Sequence, residues 1–169
     1  ELLTDSSALN RGRAYVIYGT STANLATLAN GTTGFNLNLL DGTQGIALSG
    51  TSTINGEFGY SLSGGGDYNG DGTADVLAGC MCDQAHILYG DTTTDFANLH
   101  NISAHQLSGS HTTGANDVNS DGVDDGAVFD GFDVTSNGSS VSNGGDIDND
   151  GKDDIIIGNS EINTSRGVD

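Results

Sequence analysis

Three nine-residue stretches set oxygen-bearing side chains at alternate positions. They are Asp67, Asn69, Asp71 and Asp75; Asp117, Asn119, Asp121 and Asp125; and Asp146, Asp148, Asp150 and Asp154. Each follows the pattern D-x-[D/N]-x-D-G-x-x-D. In a tight loop, positions 1, 3 and 5 point their side-chain oxygens inward, and position 9 returns a further carboxylate. Position 6 is glycine each time (Gly72, Gly122, Gly151), where the chain must turn sharply at little steric cost. Position 7 contributes only a backbone carbonyl, so Thr73, Val123 and Lys152 are free to differ. Six to eight hard oxygens around one centre is the coordination that Ca²⁺ takes, whereas Mg²⁺ prefers a smaller octahedral shell rich in water. The expectation is three Ca²⁺ sites.

Position 12 separates the two structural contexts in which such loops occur. An EF-hand needs a bidentate Glu there and a helix after it. This chain has Ala78, Val128 and Ile157, each inside a β-type run, so the helical context is excluded three times over. The loops hold three, four and five of the 23 acidic residues, against only four Lys and Arg in 169 residues. Carboxylates packed this closely repel one another without a cation. Three bound Ca²⁺ would take the formal charge from −19 to −13. A surface this acidic disfavours nucleic acid and anionic lipid as partners. No run of 18 apolar residues is present, so membrane insertion by a helix is not expected.

The elements that must hold these loops repeat with them. Upstream stand Phe58-Gly-Tyr-Ser-Leu-Ser-Gly-Gly-Gly66 and Ser139-Ser-Val-Ser-Asn-Gly-Gly145; downstream stand Val76-Leu-Ala-Gly79 and Ile155-Ile-Ile-Gly158. Short β-type runs bounded by glycine on both sides of a turn predict hairpins. A third run recurs as Arg13-Ala-Tyr-Val-Ile-Tyr-Gly19 and Ala85-His-Ile-Leu-Tyr-Gly90. A polar connection follows (20–29 and 91–103), then a strand-like run ending in Leu-Ser-Gly at Leu48–Gly50 and Leu107–Gly109. The unit is strand, metal loop, strand, turn, strand, connection, strand: four short antiparallel strands, the anatomy of a propeller blade. No segment carries a helical period; Phe96, Leu99 and Ile102 fit loop packing or a single turn. The loops start 50 and then 29 residues apart, so the middle unit is short. One repeat region spans 1–169, with partial or complete units at 1–50, 51–109 and 110–169.

These residues resemble the FG-GAP repeat, the blade of the integrin α-subunit propeller and of many bacterial secreted proteins. Phe58-Gly59 matches the FG, Gly66 to Asp75 the calcium loop, and Ala78-Gly79-Cys80 the region of the GAP. The third loop and its Ile-Ile-Ile-Gly strand match almost as well. The resemblance implies an all-β fold of four-stranded antiparallel blades, seven to a ring, of which this chain supplies about three partial ones. It departs from the family where Cys80-Met81, Phe129-Asp130 and Asn159-Ser160 replace the usual Ala-Pro, and the middle unit has no FG.

Other chemistry-bearing residues form no comparable pattern. Cys80 and Cys82 lack the further soft ligands of a metal site despite His86 nearby, and small buried side chains are expected there. His100, His105 and His111 are scattered over polar chain and are taken as surface or packing residues. No G-x-S-x-G, Walker A loop or H-E-x-x-H occurs, so no enzymatic activity is expected. Sequons at Asn30, Asn101, Asn137 and Asn163 arise easily in a chain this rich in Asn, Ser and Thr. The opening Glu1-Leu2-Leu3 has no export pattern, as in a mature product or fragment. Leu2-Leu3 with Asn10-Arg11-Gly12 parallels Ile156-Ile157 with Ser165-Arg166-Gly167, so the chain starts at the point of the repeat where it stops.

The function expected is an extracellular or cell-surface, calcium-rigidified structural or adhesive module. Self-association head to tail into a fibre is the first form. The alternatives are a fragment of a larger propeller that binds an extracellular protein ligand, and the non-catalytic propeller part of a secreted hydrolase or lyase.

Overall fold

Glycine-bounded apolar runs too short for helices bury themselves by pairing, and the chain folds as stacked β-sheets. The computed structural model describes residues 11–19, 26, 28–29, 34–50, 57–81, 84–90, 102–103, 125–130 and 139–159. Nine strands fall within them: β1 Arg13–Ile17, β2 Gly45–Ser49, β3 Ser61–Gly66, β4 Asp75–Gly79, β5 Gln84–Leu88, β6 Ile102–Ser103, β7 Gly126–Asp130, β8 Ser139–Gly145 and β9 Asp154–Asn159. A single 3₁₀ turn, Leu37–Leu39, is capped by the Asn36 side chain, which accepts from Asn38 N at 3.0 Å.

The strands form three sheets. The central one runs β3-β4-β5-β7, antiparallel throughout, with Leu77 opposite Ile87 and Ile87 opposite Ala127. It is the four-stranded blade that the repeat predicts. The origin of its fourth strand differs from expectation, because β7 follows the second loop. The run at Leu107–Gly109 lies outside the described residues. The short 29-residue spacing thus has a structural counterpart. The strand leaving the second loop fills the fourth place of the preceding blade.

A second sheet runs β1-β2-β6. Its β1–β2 pair is antiparallel, while the two-residue β6 joins β2 in parallel, an exception to the antiparallel expectation. The third is the β8–β9 hairpin.

Both faces of the central blade are covered, which its period-2 pattern requires. One face sends Val76, Ala78, Leu88 and Val128 against Ala14, Val16, Ile46 and Leu48 of the first sheet. The other sends Leu77, Ala85, Ile87 and Ala127 against Val141, Ile155 and Ile157 of the β8–β9 hairpin. Asn143 N also donates across this second boundary to Ser63 Oγ at 3.1 Å.

The Phe58-Gly59 pair has a definite mechanical role between layers. Phe58 is buried and meets the His86 ring edge-on, with centroids 5.2 Å apart. Gly59 takes φ +83°, and a Cβ there would lie 2.9 Å from the Arg13 carbonyl oxygen, so only glycine fits. Cys80 is buried as expected but is disulfide-bonded rather than a free thiol. Cys82 lies outside the described residues, as do His100, His105, His111 and the four sequon asparagines.

Candidate metal centre

Each described Asp-rich loop joins the two strands of a hairpin, β3 to β4 and β8 to β9. Both hairpins carry a register shift at the same point just before the loop, at Gly64/Gly66 and at Asn143/Gly145. A bulge there turns the strand end and re-aims the first loop residue. Position 9 in turn begins the exit strand: Asp75 opens β4 and Asp154 opens β9.

Within the loops, carboxylate oxygens organise the backbone before any ion is considered. In the first loop Asp67 Oδ1 accepts from Asp71 N at 3.0 Å and Asp67 Oδ2 from Gly72 N at 2.9 Å. Asn69 Oδ1 accepts from Asp71 N at 3.0 Å, and Asp71 Oδ1 from Thr73 N at 2.7 Å. In the third loop Asp146 does the same for Asp150 N at 3.0 Å and Gly151 N at 2.9 Å. Asp148 Oδ1 accepts from Asp150 N at 3.1 Å, and Asp150 Oδ1 from Lys152 N at 2.9 Å. The closing carboxylates also match. Asp75 Oδ2 accepts from Tyr68 N at 2.7 Å and Asp154 Oδ2 from Ile147 N at 2.6 Å. Two loops 79 residues apart therefore share five hydrogen bonds at equivalent positions.

Two of these positions require the left-handed region. Position 6 is Gly72 (φ +87°) and Gly151 (φ +93°), as the spacing predicts. Position 4 is Gly70 (φ +81°) and Asn149 (φ +64°), a requirement that the sequence pattern did not single out. The signal was present, since glycine and asparagine are the residues that tolerate this conformation.

The donor set suits a hard cation. Ligand atoms of Asp146, Asp148 and Asp154 all lie within 4.8 Å of one another, so three carboxylates converge without deprotonation of any soft group. Lys152 and Thr73 stand at position 7, where only the backbone oxygen is asked for. In the first loop Asn69 replaces a carboxylate at position 3 and its Nδ2 donates to Asp71 Oδ2 at 2.8 Å. Asp75 is fully buried, and its Oδ1 also accepts from Gly90 N at 2.7 Å. Burial pushes its carboxyl pKa up, the Gly90 and Tyr68 N–H groups pull it down, and Asp71 and Asp67 push it up again. A cation in the loop would relieve that strain on the ionised form.

Of the second loop, Asp117, Asn119, Asp121 and Val123 lie outside the described residues. Its position 9, Asp125, is buried beside the start of β7, and its carbonyl accepts from Tyr89 N at 2.9 Å.

Sequence reasoning missed the contact between the two described loops. Asp153, at the unassigned position 8, accepts from Asp67 N through Oδ2 at 3.0 Å, and Asp153 N donates to Asp67 O at 2.9 Å. The Lys152 stem lies over Gly70, with its Cγ and Cε 3.2 and 3.1 Å from where a Cβ would stand.

Comparison with known proteins gives one family. The family model for the FG-GAP repeat matches residues 137–162, which span β8, the third loop and β9. No curated protein and no solved structure matches the chain. The β3–β4 hairpin repeats the matched hairpin in bulge, loop bonding and exit strand, and it packs on it as one propeller-type layer on the next. The chain thus carries an FG-GAP repeat at residues 137–162.

Proposed function

We propose that this chain is a non-enzymatic, extracellular structural or adhesive module whose blade hairpins are rigidified by Ca²⁺. The observation that carries the reading is the convergence of Asp146, Asp148 and Asp154 within 4.8 Å, in a loop whose bonding is duplicated at Asp67–Asp75. FG-GAP repeats occur in extracellular or surface proteins, where millimolar calcium suits sites of modest affinity.

Thermal unfolding with calcium and with chelator tests it. At 10 mM Ca²⁺ and a dissociation constant of about 0.1–1 mM, each site adds roughly 1–3 kcal/mol. Two or three sites then raise Tm by several degrees. Magnesium should do much less. An unchanged midpoint would sink the calcium role.

Head-to-tail self-association is the form of assembly that one feature favours. Among the described residues β9 is paired only on its β8 side and β1 only on its β2 side. In the complete blade the equivalents of these strands, β4 and β5, pair with each other. Joining β9 of one copy to β1 of another reproduces that pairing, with Ile155 opposite Ile17 as Val76 is opposite Leu88. Ile156 and Ile17 are 51% and 42% exposed, whereas their blade equivalents Leu77 and Leu88 are buried. Completion by further blades of a larger, protein-binding propeller would use the same edges.

A further inference from the structure

We infer that the first and third metal loops are one coupled unit, and that Asp153 is the positioning residue that couples them. The inference rests on the calcium reading above and concerns what that reading leaves open, whether the sites act independently.

The contact is specific on both sides. Asp67 is the position-1 residue of the first loop, and its carboxylate orders Gly70, Asp71 and Gly72 through their N–H groups. Its own backbone N–H and C=O are both used by Asp153, through Oδ2 at 3.0 Å and N–H at 2.9 Å. Asp153 stands between Lys152, whose carbonyl is the position-7 donor of the third loop, and Asp154, its closing carboxylate. An ion in the third loop fixes the backbone on both sides of Asp153, and hence the backbone of Asp67. The next residue reinforces the link. Tyr68 N bonds Asp75 Oδ2, and the Tyr68 ring packs in the interlayer cluster with Ile155.

Ordering one loop therefore removes part of the entropy cost of ordering the other, which is positive cooperativity without a change of fold. Coupling of this kind is typically at least about fivefold in affinity. Repulsion between the two bound cations opposes it, but that repulsion is screened in physiological salt beyond roughly 8 Å.

Calcium titration calorimetry on the whole chain tests the inference, in a background carrying Asp121→Asn to mute the second loop. Asp71→Asn and Asp148→Asn mute the first and third loops in turn, each amide retaining an oxygen for the loop N–H groups. The expected result is that the product of the two stepwise affinities with both loops intact exceeds the product of the single-loop affinities by about fivefold or more. Asp153→Ala should bring that ratio below about twofold, whereas Asp153→Asn, which keeps the acceptor oxygen, should preserve it. Two ions bound with a ratio near one overturns the coupling and leaves the calcium reading standing. A ratio unchanged by Asp153→Ala overturns the assignment to Asp153. No calcium uptake by the native chain overturns both.

Discussion

At the scale of single residues, the chain spends its few buried polar groups in two ways. Asp75 is buried with its oxygens engaged by Tyr68 N and Gly90 N, and so serves as a strut between loop, strand and the next turn. His86 is buried with no hydrogen-bond partner at Nδ1 among the described residues, against the Phe58 ring. Burial drives its pKa from 6.5 down to about 4. The unfolded chain therefore takes up the proton first as pH falls. The contribution of neutral His86 is intact above about pH 6.5 and is lost between there and pH 4, on the order of 3 kcal/mol in all. Denaturant titrations across that window should show a steep fall that His86→Leu flattens; equal slopes in both proteins would count against it. The convergence of Asp146, Asp148 and Asp154 was legible because oxygen-bearing side chains at alternate positions of a tight loop turn toward one centre. Asp153 was not, because its role lies in a partner 86 residues away, which no local spacing encodes.

At the scale of elements, the hairpins were legible and the fourth strand was not. Glycine-bounded β runs on each side of a loop can pair only with each other, and β3–β4 and β8–β9 do so. The strand beside β5 is chosen by long-range packing. Val128 and Ala127 present the right faces to two different layers, and nothing in the order of the sequence marks β7 for that place. The same alternation sets the cost of mutation. Leu77 is fully buried between layers, so Leu77→Ala should cost about 2–5 kcal/mol. Ile156 is its repeat equivalent in β9, yet stands half exposed, and Ile156→Ala should cost under about 1 kcal/mol in the isolated chain. Chemical denaturation of the two variants checks the contrast; equal costs would mean that the layers are not equivalent.

At the scale of the whole molecule, charge and layering act together. A formal charge of −19 opposes association of copies at low ionic strength, and Ca²⁺ bound as proposed would lower the barrier by neutralising the loops. Light scattering should therefore reveal growth of large species with protein concentration in calcium, and Ile156→Lys should prevent it while leaving the melt of the single chain unchanged. A chain that stays monomeric at high concentration in calcium and salt would rule out the head-to-tail form.

The three layers also face the same way. Ala14 and Val16 of β1 look forward onto the central blade, as their equivalents Ala85 and Ile87 look forward onto β8–β9, and Ile155 and Ile157 look back as Val76 and Ala78 do. The two boundaries thus use equivalent positions of β1 and β5 on one side and of β4 and β9 on the other, although Val141 is buried in the second where its equivalent Leu62 is half exposed. If a unit is duplicated or lost by recombination, the new neighbours meet across surfaces that already fit. Array length is then free to drift through inheritance without any interface having to be invented, and a truncated unit such as the middle one can persist by lending its strand to the blade before it.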